Sequence, residues 1–144
     1  MVIKDSIFVS VSFDDTAEAL LLQWKRVPSF DQFKDTYLAV LGYVKETRLV
    51  TSFCTDLTVI GSLKREHEDW LAYEYYPKVF EIIRSEINAA VVFSEDHFKA
   101  IVTNYQQPEY HPRQDFINFN YFTDFDEAIH WLINTRKGQE NMVS

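Results

Sequence analysis

The run "NAAVVFS" (Asn88–Ser94) decides the fold. Ala89 to Phe93 are five consecutive apolar residues without a polar partner between them. A strand with one wet face alternates, whereas one covered on both faces reads as a continuous apolar block, as central strands of parallel sheets do. The block is far too short to cross a bilayer. It therefore predicts a buried strand with helices on either side.

Upstream, Arg48–Leu57 reads as another strand. A helix from about Ser62 follows, carrying Leu63, Trp70, Leu71, Val79, Phe80 and Ile83. Pro77 lies inside that pattern and predicts a break or kink, because proline cannot donate to the carbonyl four residues back. Before Arg48, Phe33, Tyr37, Leu41 and Val44 recur at helical spacing. Ser29 and Gln32 stand ahead of them in capping-box register. Earlier still, Ile7, Val9, Val11 and Phe13 face Ser10 and Ser12 in alternation, so Ser6–Phe13 is a strand. "DDTAEA" turns the chain into a hairpin partner over Ala19–Val27.

Downstream, a short helix is expected over Asp96–Tyr105 and a loop over "NYQQPEYHPRQD", with a last strand at Phe116–Phe122. Asn118 and Asn120 share one face of that strand. Asp124 and Glu127 open the final helix, which presents Phe125, Ile129, Leu132 and Ile133 and ends at "RKG". The order is ββαβαβαβα. It gives an α/β fold with a mixed, mostly parallel sheet of about five strands, an N-terminal β-hairpin and four helices. Residues 1–144 form one domain with frayed ends at 1–5 and 138–144, and Phe33, Val91 and Ile129 are expected to meet in one core.

Composition narrows the function classes. Fourteen basic residues stand against 22 acidic ones, a net charge of −8, and no basic cluster exceeds "KR". Nucleic acid is therefore not the expected partner, since phosphate binding needs clustered cations. Cys54 is the single cysteine, which leaves no internal disulfide and no thiolate metal cluster. The N-terminus lacks a cleavable apolar block, and no apolar run is long enough for membrane insertion, so a cytoplasmic protein is the default.

Catalytic motifs fail one by one. His67-Glu68 begins like a zinc-protease signature, but Leu71 stands where the second histidine belongs, and "REHEDW" reads instead as an exposed helix face. No serine is flanked by glycines as in a nucleophile elbow. The spacing of His67, His97, His111 and His130 supplies no metal set, and no cofactor is called for.

Ligands of a parallel sheet sit beyond the carboxyl ends of its strands. Those ends contribute Asp56, Thr58, Ser94, Asp96 and His97; an enzyme would have to use Asp56, Thr58, Asp96 or His97. The long loop adds Tyr110, His111 and Arg113 as a lid or a homodimer contact.

The strand end "TDLTVIG" and the closing "FTDFDEAIHWL", set in this element order, resemble STAS-type domains. The closer likeness is to the SpoIIAA-like (STAS/SEC14-like) group of small bacterial proteins, over about Ser6–Lys137. The resemblance implies a non-catalytic regulatory module that docks an unknown protein partner. Its SEC14-like side implies the alternative, a carrier or sensor for a small apolar or amphipathic molecule, to which the aromatic-rich "YEYYPKVF" and "FINFNYF" would contribute. It also places Ser62 near the phosphorylated serine of the anti-sigma antagonists. Gly61, Leu63 and Lys64 depart from the acid, hydroxyl and glycine of that motif.

Overall fold

A computed structural model describes residues 1–61, 63–97 and 115–143. Six strands, β1 (Val2–Asp5), β2 (Val9–Asp14), β3 (Ala19–Trp24), β4 (Ser52–Asp56), β5 (Ile87–Val92) and β6 (Ile117–Phe122), lie in one sheet in sequence order. β1, β2 and β3 form an antiparallel meander, and β3 through β6 run parallel. The expected α/β class with a mostly parallel mixed sheet is met, with one strand more than anticipated, while the helix expected over Asp96–Tyr105 falls mostly outside the described residues.

That extra strand is the N-terminus, which is paired rather than frayed. Phe13 donates its backbone N–H to the Met1 carbonyl at 2.8 Å, and the Met1 ammonium donates to the Phe13 carbonyl at 3.1 Å. "VIKD" escaped notice because a four-residue edge strand with a register shift between Val2 and Lys4 has no clean alternation. Lys25 holds its end through a 2.7 Å ion pair with Asp5.

Helix α1 (Phe30–Glu46) starts as the capping box predicts. The Gln32 N–H donates to Ser29 Oγ, and the Ser29 N–H donates to Gln32 Oε1. After β4 the chain turns through Gly61, whose φ of 75° is left-handed and suits glycine alone without strain. Helix α2 (Arg65–Trp70) begins later than the expected start near Ser62, with Lys64 at its N-cap and no side-chain cap bond.

Pro77 does not break the helix. A π-helical turn, Leu71–Tyr75, joins α2 to α3 (Tyr76–Ile83), and the Tyr76 N–H donates to the Leu71 carbonyl five residues back. Widening the turn relieves the clash that proline imposes on the carbonyl four residues behind it. The helix ends at Arg84, whose φ of 53° is left-handed.

The last helix, α4 (Phe125–Val143), opens where Asp124 Oδ1 accepts the Asp126 and Glu127 N–H groups at 2.8 and 3.3 Å. It continues past the expected stop at "RKG", so the glycine is helical and the 138–144 tail is not frayed along that length. Arg136 binds Glu18 of the β2–β3 turn at 2.7 Å, tying the helix to the far hairpin.

The sheet separates two cores instead of enclosing one. On one face Val11, Leu22, Phe33, Tyr37, Tyr75 and Ile87 pack with Val91 beneath α1, α2 and α3. On the other, Ala128 and Leu132 of α4 press on Cys54, Ala90 and Val92, with Ile129 alongside. Phe33 and Val91 therefore share a core from which Ile129 is excluded. β5 explains why: Ile87, Ala89 and Val91 point one way, Ala90 and Val92 the other. A strand feeding two cores must be apolar throughout, which is how its sequence reads. Asn88 is the exception, and its Oδ1 accepts from Asn118 Nδ2 on β6 at 3.1 Å.

Candidate functional site

The strand ends named by sequence do come together. The Leu57 N–H donates to the Val92 carbonyl, so the exits of β4 and β5 are neighbours. Asp56, Thr58 and Ser94 are nevertheless spent on their own turns. Asp56 Oδ1 accepts both the N–H and the hydroxyl of Thr58, an Asx-type turn. Ser94 Oγ accepts the His97 N–H at 3.2 Å, and Asp96 is exposed.

The His97 ring stands edge-on to Phe93 at 4.6 Å, and burial holds its pKa below the ordinary imidazole value. Among the described residues no hydrogen bond joins the Asp56 turn to the Ser94 turn. Ser62, Tyr110, His111 and Arg113 lie outside the described residues, as do most of the expected 96–105 helix and the loop after it.

His67 corrects the expectation of an exposed "REHEDW" face. It is buried, stacked on Phe33 at 4.4 Å and tilted against Phe30 at 5.4 Å. Burial keeps it neutral to lower pH than usual, against a smaller opposing effect of Glu66. The imidazole serves here as one more flat ring.

Cys54 is likewise a core residue. Burial, reinforced by the nearby Asp56 carboxylate, pushes its thiol up to about 12, far from a reactive thiolate. Among the described residues no group of three or more His, Cys, Asp or Glu is placed to hold a metal ion, and no helix is long and apolar enough to cross a membrane.

The feature best suited to binding lies elsewhere. Between the sheet and the α1–α3 layer is a cavity of about 130 Å³, partly open to the outside. Its floor is the sheet, with Leu22, Phe53, Ala89, Val91 and Phe119; its roof includes Val40 and Leu71. Among the described residues no charged side chain lines it.

A run of touching aromatic rings leads to the cavity, which Tyr37, Tyr75, Tyr76 and Phe119 line. Trp24 stacks on Phe33, Phe33 meets Tyr37 at 4.8 Å, Tyr37 meets Tyr75 at 5.1 Å, and Tyr76 reaches Phe119 at 6.1 Å. The π turn contributes directly. Tyr75 and Tyr76 are adjacent in sequence yet both line the cavity, which the extra residue in the turn permits.

Three phenols and one hydroxyl, Tyr37, Tyr75, Tyr76 and Thr55, are the polar groups of this lining. Burial pushes Tyr37 up to about 12, against smaller opposing effects of Trp24 and Thr55. The buried Trp24 indole, whose ring lies 6.3 Å from that of Tyr37, has no hydrogen-bond partner for its N–H among the described residues. Burial also raises Tyr75 and Tyr76 well above the ordinary tyrosine value, and the nearby phenols add to it. All three hydroxyls are therefore neutral donors at physiological pH.

The sequence carried one signal for this site, the density of tyrosine in "YEYYP" just before a proline. Nothing in it showed that the rings face an unfilled space.

No family model, no curated protein and no solved structure matches this chain.

Proposed function

We propose that the protein is a non-catalytic carrier or sensor of a small, largely apolar molecule held between the sheet and the α1–α3 layer. The single observation behind this is the cavity of about 130 Å³ with its apolar floor and uncharged lining. An apolar cavity of this size stays dry and takes up molecules of the benzene class, because apolar surface leaves water on both sides of the contact. Two further facts favour binding over catalysis. Asp56, Thr58 and Ser94 are engaged in local turns, and the buried Cys54 and His67 sit as uncharged packing groups.

Kinship with SpoIIAA-like domains belongs to the same proposal. It is supported by the parallel β3–β6 units and by the closing helix, in which Ala128 and Leu132 of the quoted "EAIHWL" seat against the sheet. Within that kinship a ligand-free docking module is the other reading. Among the described residues the cavity speaks for the ligand.

Native mass spectrometry of freshly purified protein, followed by titration with ethylbenzene, is the test. A retained adduct or saturable ethylbenzene binding is expected. An apo mass together with no binding up to the solubility limit of ethylbenzene would remove the basis of the proposal.

A further inference from the structure

The phenols over the cavity differ from the rest of its wall. Buried tyrosine hydroxyls ordinarily find an acceptor, because an unpaired polar group away from water costs free energy. Tyr75 is buried and Tyr76 partly so, both border the cavity, and neither hydroxyl is hydrogen-bonded to another described residue or sealed away from the open space. Their rings lie 6.0 Å apart between centroids, and Tyr75 stands 5.1 Å from Tyr37. The three rings thus stand together in the wall of an otherwise apolar space.

The surroundings also set the charge of what they would bind. A carboxylate would enter a lining with no cation to balance it, close to the Glu68 charge that acts on Tyr76. An ammonium group would find no carboxylate among the described residues of the lining. A neutral oxygen with free lone pairs meets neither penalty and gives the idle hydroxyls an acceptor.

We infer that the cavity ligand is a small neutral molecule with an aromatic or alicyclic body and one acceptor oxygen, a ketone or comparable carbonyl, which receives hydrogen bonds from Tyr75 and Tyr76. This rests on the cavity reading above and adds the polar recognition that reading leaves open.

The test compares ethylbenzene with acetophenone, near-matched in shape and differing in the carbonyl, on the whole chain and on Tyr75→Phe, Tyr76→Phe and the double variant. Removing the donors strands a buried carbonyl, so acetophenone should bind the double variant roughly tenfold or more weakly. Ethylbenzene affinity should stay unchanged, which also reports that the cavity is intact. Equal changes for both ligands, or none for acetophenone, would overturn the assignment while leaving the cavity reading standing. Failure of both ligands to bind the unaltered protein would remove the cavity reading itself.

A second measurement needs no variant. The C=O stretch of acetophenone bound to the unaltered protein should fall below its value in an alkane solvent, as hydrogen bonding weakens the bond. A stretch at the alkane value would refute donation from these phenols.

Discussion

Filling the cavity by substitution should trade binding for stability, and Ala89→Ile is the place to see it. Ala89 lies on β5 between Phe53 of β4 and Phe119 of β6, and all three line the cavity. At about 24 cal/mol per Å³, a void of 130 Å³ costs the fold about 3 kcal/mol. Isoleucine adds three carbons, each worth about 0.8 kcal/mol on burial, and loses about 0.5–1 kcal/mol of side-chain entropy. Its β-branch suits a strand.

The expected net gain is about 1.4–1.9 kcal/mol, read as a higher urea midpoint with unchanged slope. The accompanying rise in Tm is about 4–6 °C for a domain of this size. Ethylbenzene at a hundred times its Kd should stabilise the unaltered protein by about 2.7 kcal/mol and the variant by far less. A variant destabilised by more than about 1 kcal/mol would mean that the space is already occupied by packed side chains, as overpacked cores behave. Undiminished ethylbenzene binding in a stabilised variant would place the ligand elsewhere.

Three further outcomes can be measured on the same unfolding curves. Ser29→Ala removes the acceptor for the Gln32 N–H and should lower stability by about 1 kcal/mol; no change would show that the α1 cap is dispensable. Arg84→Gly relaxes the left-handed residue that ends α3 and should raise stability by about 0.5–1 kcal/mol, whereas a loss would show that the Arg84 Nε bond to the Glu81 carbonyl matters more.

Alkaline pH tests the buried ionisable groups. Cys54 rises from 9.0 to about 12 on folding and Tyr37 from 10.0 to about 12, so the unfolded chain sheds these protons first. Stability contributed by their neutral forms is complete below pH 9 and is lost between pH 9 and 12, at up to about 1.4 kcal/mol per pH unit for each group. Urea midpoints that stay flat from pH 9 to 11.5 would contradict the burial of both.

What the sequence disclosed depended on how much of each signal was local. Helix α1 was legible to the residue because Ser29 and Gln32 fix its start through bonds three residues apart. β5 was legible because a strand serving two cores is apolar at every position but Asn88. The two-core arrangement itself was not, since apolar residues on α1 and α4 look alike until the sheet between them is built. His67 was misread for the same reason: an acidic, basic and polar neighbourhood signals solvent, and only tertiary packing sets that one ring against Phe33.

Pro77 signalled disturbance correctly and its form wrongly, because kink and π turn relieve the same clash. Asp56, Thr58 and Ser94 stood out as polar groups at strand ends, yet they close turns, and turn closure uses the same residue types as chemistry. The cavity was hidden for a more general reason. A void is a property of distances between side chains far apart in sequence, and no residue type marks it.

The sequential order of the six strands bears on how the chain comes to be built. Each strand's neighbour on one side is the segment made just before it, so a chain leaving the ribosome can add rows to a growing edge without waiting for a distant piece. Every nascent length up to β6 ends in an open row of backbone donors and acceptors. The most hydrophobic of these temporary borders belongs to β5, which makes the interval before β6 arrives the moment of greatest exposure to mispairing between unfinished copies.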